Sequence, residues 1–152
     1  MYSIEIEAIT QIDAAQLSLL GDLFAQIPEF DSPRSHEEYS ERLPSGHSLL
    51  LLAKIQGEPA GFKLGYALDD STFYSWLGGV LPDFRQLGLG KALLTCQEDW
   101  ARTQGYRNIQ VKSRNRFPAM LGMLLSQQYR VTSLQTDARD TLDNRLTLNK
   151  NI

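Results

Sequence analysis

The sequence lacks the residues on which disulfide-stapled, metal-bound and membrane proteins depend. Its 152 residues include a single cysteine, which cannot close an internal disulfide and predicts a reducing, cytoplasmic setting. The two histidines, His36 and His47, stand far apart with no acid or cysteine at ligand spacing, so no metal is expected. Fifteen Lys and Arg against eighteen Asp and Glu leave a net charge of -3, which argues against a dedicated nucleic-acid binder. The longest wholly apolar run, Leu49 to Ala53, falls far short of the roughly 20 residues of a membrane helix. The N-terminal stretch Ile4-Glu5-Ile6-Glu7 alternates and is acidic, unlike a signal peptide. Repeats, low-complexity tracts and linker-like stretches are also missing. Residues 1–152 therefore read as one domain, long enough to bury about two thirds of its unfolded surface.

What is present is a chain that switches between strand and helix periods. Tyr2 to Thr10 alternates as a half-buried strand. Asp13 with Gln16, and Ser35 with Glu38, form capping boxes that open two helices. Ser48 to Ile55 is nearly all aliphatic, as in a central strand, and Ala60 to Leu68 and Thr72 to Val80 extend it into an antiparallel meander. In that meander Tyr74 and Trp76 share a face, and Asp69-Asp70 supply a turn. Gly88 to Gln104 is an amphipathic helix closed by Gly105, with Cys96 on its apolar face as a structural thiol. A strand at Asn108 to Lys112, a helix from Pro118, and strands near Tyr129 to Leu134 and Thr141 to Leu148 complete the chain. The order is βααβββαβαββ, a mixed α/β domain on an α+β mixed sheet.

The informative stretch is Val80-Leu81-Pro82-Asp83-Phe84-Arg85-Gln86-Leu87-Gly88-Leu89-Gly90-Lys91. A strand ends, a loop with two glycines follows, and a helix begins at once. The first amides of a helix lack intrahelical partners and lie at the positive end of its dipole, so the junction is suited to a phosphate. A Walker A loop is excluded, because Arg85 replaces its first glycine and Ala92 its hydroxyl residue. A dinucleotide fingerprint is excluded too, because Leu93 replaces its third glycine and the preceding strands form a meander.

Arg85-Gln86-Leu87-Gly88-Leu89-Gly90 satisfies Arg/Gln-x-x-Gly-x-Gly/Ala. With its Val-x-Pro-x-aromatic-Arg lead-in and the element order around it, the chain resembles the GCN5-related N-acetyltransferase (GNAT) superfamily. The resemblance implies a splayed central sheet and acetyl-CoA as co-substrate. Its pyrophosphate would be held by the amides of Gln86, Leu87, Gly88, Leu89, Gly90 and Lys91. Arg85 either adds charge there or pairs on the surface. The resemblance also implies a bulge at Gly78-Gly79-Val80, where the pantetheine arm pairs with exposed backbone and an amide polarises the thioester.

The implied reaction is direct attack of an amine on the thioester in a ternary complex. The strand that commonly carries the base has no carboxylate at Tyr74-Ser75-Trp76, which leaves Glu29, Asp31 and Tyr74 as candidates for the acceptor site. The family's general-acid tyrosine is missing, since Leu124 occupies its place, and Phe117 replaces its asparagine. Asn115 is the substitute expected to touch the pantetheine arm. The partners expected are thus an acyl-CoA and an amine acceptor, small or proteinaceous, with no nucleic acid and no membrane. The resemblance admits a homodimer. The rival expectation is a GNAT-fold module that binds acyl-CoA without catalysis.

Overall fold

The computed structural model describes residues 3–30 and 34–152. Among these the chain runs β1 (Ile4–Ile9), α1 (Ala14–Ala25), α2 (His36–Arg42), β2 (Ser48–Ile55), β3 (Glu58–Ala67), β4 (Thr72–Val80), α3 (Leu89–Thr103), β5 (Asn108–Arg114), α4 (Pro118–Ser126), β6 (Arg130–Gln135) and β7 (Arg145–Asn151). The expected order and mixed α/β class are those observed. Local signals act where the sequence puts them. Asp13 and Ser35 each make a reciprocal capping box, and Gly105 ends α3 at φ 96°. Asp69 Oδ1 accepts from the amides of Ser71 and Thr72 at 2.8 and 2.7 Å, which makes it a turn residue.

One seven-stranded sheet has the order β1-β2-β3-β4-β5-β7-β6, with β4 and β5 its parallel pair. Helices cover both faces. Leu17, Leu20, Leu23 and Tyr39 of α1 and α2 pack on Leu50, Leu52, Phe62 and Leu64. On the other face Leu89, Leu93, Leu94 and Leu124 of α3 and α4 pack on Leu49, Leu51, Phe73, Ile109 and Leu148. Coverage on both sides explains why β2 is nearly all aliphatic; each such side chain contributes about 1.5–3 kcal/mol. Cys96 is only half-buried against this second core. The last strand starts at Arg145, later than its alternation predicts. Asp140 Oδ1 accepts from the Leu142 amide at 2.9 Å and rolls Thr141–Asp143 into a 3-10 turn, which Arg116 pins through Asp140 and Asp143.

The sheet opens at its centre. Pairing of β4 with β5 runs only from Thr72–Asn108 to Ser75–Val111. Beyond it β4 stays with β3 and β5 with β7, so the strands part as a V. A register slip lies beside the opening: Leu64 faces Leu77 while Gly65 faces Ser75, so Trp76 is one residue too many. Such a bulge bends its strand and re-aims side chains. The bulge expected at Gly78-Gly79-Val80 is thereby corrected, because those three residues remain in register with Lys63, Phe62 and Gly61. Gly79 is closely packed: a Cβ there would sit 2.7 Å from Cδ1 of the buried Ile27, just after α1, which would have to shift. Gly79→Ala is therefore expected to destabilise the protein by about 1–3 kcal/mol through overpacking. Urea unfolding checks this, and a midpoint equal to wild type would reject the packing account.

Candidate active site

The V between β4 and β5 is a cleft of about 690 Å³. Its walls are Tyr74 to Val80 of β4 and Val111 to Arg114 of β5, with α4 residues Met120 and Met123 along one flank. At its mouth Gly90 opens onto the head of α3. There the chain turns through Gln86 at φ 64° and Gly88 at φ 83°, both left-handed, and enters the helix at Leu89. Two left-handed residues in three positions swing the loop so that its amides precede a 15-residue helix without obstruction. Leu89 is core and Leu87 is half-buried, so these two anchor the loop, while Gln86 and Lys91 are exposed. A Cβ on Gly90 would lie 3.5 Å from Met123 Sδ, across the mouth.

Arg85 is committed to a partner the sequence does not reveal. Its guanidinium forms a two-point pair with Glu29, at 2.8 and 2.7 Å, and its Nε donates to the Val80 carbonyl at 3.0 Å. Of the two roles left open for Arg85, surface pairing is the one found. The same pair argues against Glu29 as a general base. The Arg85 hydrogen bond holds its carboxyl below the usual range, whereas a base works best with a pKa near the operating pH. Asp31 lies outside the described residues. Tyr74 lines the cleft and is buried, and burial raises its hydroxyl pKa, so it is held protonated. Asn115 is a correction. Its Nδ2 donates to the Thr141 carbonyl at 3.0 Å, which ties the β5–α4 turn to the Thr141–Asp143 turn, and the cleft flank is formed instead by Arg116, Phe117 and Pro118. Cys96 packs against the α3 core and burial raises its thiol pKa, in keeping with a structural thiol.

The charge of the cleft is opposite to that of the chain. Arg34, Lys63, Arg85, Lys112, Arg114, Arg116 and Arg145 line it, and Glu29 is its one carboxylate among the described residues. Strand parity divides these cations. Tyr74 and Trp76 contact Tyr66 on the α1–α2 face, with ring centroids 5.4 and 5.8 Å away. On that side Lys112 lies 5.7 Å over Tyr74, and Arg34 and Arg42 lie 5.1 and 4.6 Å over Trp76. Ser75 and Ser113, with Lys63 from β3, line the α3 side and are buried. Sequence reading missed Lys63; its one signal is a charged residue inside a strand that both layers cover.

The parted parallel pair, the amide loop heading α3 and the cationic cleft between them define the architecture of an acetyltransferase. A profile of the acetyltransferase (GNAT) family matches residues 17–123, and the chain belongs to that family. No curated protein matches it in sequence. Solved structures share its fold at low identity. The ribosomal-protein-S18-alanine N-acetyltransferase from Escherichia coli superposes with a TM-score of 0.83 at 17% identity, covering 99% of this chain and 94% of that one. A GNAT family acetyltransferase from Elizabethkingia anophelis with acetyl-CoA bound gives 0.74 at 18%, covering 98% of each chain. Arabidopsis thaliana Naa50, in complex with the bisubstrate analogue CoA-Ac-MVNAL, gives 0.77 at 15%, covering 97% of this chain and 98% of that one.

Two outcomes follow from the geometry. Glu29→Gln should cost less than the roughly 100-fold that loss of a general base entails; steady-state kinetics decides, and a larger fall in kcat would restore Glu29 as the base. Lys63 is buried, and burial lowers its pKa from 10.5 to about 8, with Glu98 opposing the shift. Between those values the unfolded chain holds a proton that the folded chain has released. Raising the pH through that window therefore stabilises the fold, and below it the full cost of the buried charge applies. Lys63→Met should be more stable than wild type at neutral pH by on the order of 3 kcal/mol. Its advantage should shrink above about pH 8, as read by urea midpoints at several pH values.

Proposed function

We propose that the protein is an N-acetyltransferase that moves an acetyl group from acetyl-CoA to an amine by direct attack in a ternary complex. The observation that carries this reading is the cleft between β4 and β5 with the α3 amide loop at its mouth. The residues present fit such a cofactor. Loop amides from Gln86 to Lys91 suit a pyrophosphate, and the unpaired inner edges of β4 and β5 offer backbone partners for an amide-bearing arm. Arg116 at the flank adds positive charge, although Asp140 and Asp143 already share it.

The α1–α2 side of the cleft supports an acceptor amine that carries its own anion. Lys112 and Arg145 stand beside Tyr74, and Arg34 and Arg42 beside Trp76, so the wall is cationic and aromatic. That field repels polyamines and aminoglycosides. It also favours the neutral form of a bound amine, which is the form that attacks, so it performs part of a base's task where no strand carboxylate exists. A carboxylate near the amine, as in an amino acid or the end of an acidic peptide, fits this wall.

Titration calorimetry with acetyl-CoA tests the reading first, and absence of binding at millimolar ligand would reject it. Gly90→Tyr should abolish that binding with circular dichroism unchanged, because its ring projects across the mouth toward Met123. Release of free thiol in the presence of amines separates an enzyme from a binding module. Among amines turned over, an amino acid should exceed the same amine without its carboxylate by about tenfold or more in kcat/KM. The reverse order would overturn the acceptor assignment.

A further inference from the structure

The cleft contains a buried cation for which neither the core nor the acceptor wall has a use. Lys63 is 5% exposed and lines the cleft on the α3 side. Its partner across the sheet is Gly78, and its Nζ lies 3.5 Å from where a Gly78 Cβ would stand. The side chain thus rests on the face of β4 at the level where the strands have already parted. Glu98 of α3 acts on it only through its field. That carboxylate is occupied by the Tyr129 hydroxyl at 2.8 Å and by Lys150 of β7 at 3.1 Å. The other polar groups at this end of the cleft are the hydroxyls of Ser75 and Ser113, on β4 and β5, and both are uncharged. Among the described residues no carboxylate forms an ion pair with Lys63, which leaves its ammonium unpaired at the wall of the cleft.

Resting on the acetyl-CoA reading above, we propose that Lys63 stabilises, as an ion pair, the thiolate that leaves when the thioester is cleaved. An arm that starts at the α3 loop and follows β4 inward brings its sulfur into the stretch between Gly78 and Ser75. The stretch from Val80 to Ser75 is roughly 17 Å of extended strand, comparable with an extended pantetheine arm. In the step, the amine nitrogen forms a bond to the acyl carbon and the carbon–sulfur bond breaks, leaving its electron pair on sulfur. The thiolate is held by the Lys63 ammonium as an ion pair and takes a proton from water as CoA leaves. The proton lost by the acylated nitrogen goes to water. A pKa of about 8 leaves Lys63 charged at neutrality. Leu124, buried in the core, offers no proton at the site where the family carries a tyrosine.

The test needs CoA alone and no knowledge of the acceptor. Ultraviolet absorbance of the thiolate follows the ionisation of protein-bound CoA with pH, with unliganded protein as the blank for Cys96. In wild type the bound thiol should ionise at least about one pH unit below free CoA, a tenfold gain in thiolate at a given pH. Lys63→Met should return it to the free value while calorimetry still detects binding and circular dichroism is unchanged. A wild-type bound thiol that titrates like free CoA overturns the proposal, and so does a lowered value that Lys63→Met leaves in place. If CoA does not bind wild type at all, the failure lies with the acetyl-CoA reading, and this proposal falls with it.

Discussion

One extra residue in one strand determines the shape of the functional part of this molecule. With Trp76 inserted into the β3–β4 ladder, β4 bends after Ser75, and its parallel partner cannot follow. Everything chemical is built around the gap that results. The loop amides lie at one end of it, the rejoined strands at the other, and two differently charged faces lie above and below. Without the slip β4 and β5 would pair to their ends, and the space would be filled by backbone hydrogen bonds. The opening is flanked by Ile27, just after α1, on one side and by Met120 and Met123 of α4 on the other. The gap is therefore a feature of the packed core and needs no ligand to prop it open.

Electrostatics in this protein is local. A chain with a net charge of -3 places seven cations around one cleft and leaves most acids elsewhere on its surface. A desolvated cation is costly unless something opposes it, and Lys63 has only the distant field of Glu98. That cost is one the fold carries at the centre of the cleft.

Much of the architecture was legible from periodicity and caps. The aliphatic run Ser48 to Ile55 and the alternation of Thr72 to Val80 gave strands with the bounds observed, because burial leaves little choice of pattern there. Asp13 and Ser35 announced their helices because capping is local chemistry. The loop from Arg85 to Gly90 was legible for the same reason. What the sequence concealed is long-range. Arg85 and Glu29 lie 56 residues apart, and no local rule joins two candidates from separate loops into one ion pair. The bulge was drawn to Gly78-Gly79 because glycine in a strand marks either a bulge or close packing. The choice between those depends on Ile27, fifty residues earlier. Asn115 was misplaced because its partner, the Thr141 carbonyl, lies in a turn whose existence depends on Asp140 and Arg116.

The Arg85–Glu29 pair joins the loop that heads α3 to the segment just after α1, at the border of the acceptor wall. Two halves of a bisubstrate site are thereby attached to each other by a single exchangeable contact. An anion that draws Arg85 toward the loop amides must first release Glu29, and a cation that draws Glu29 toward the acceptor wall must release Arg85. Linkage is reciprocal: whatever the one event does to the affinity for the second ligand, the second does to the affinity for the first. One surface ion pair thus couples the loop that heads α3 to the segment after α1 without any movement of the sheet.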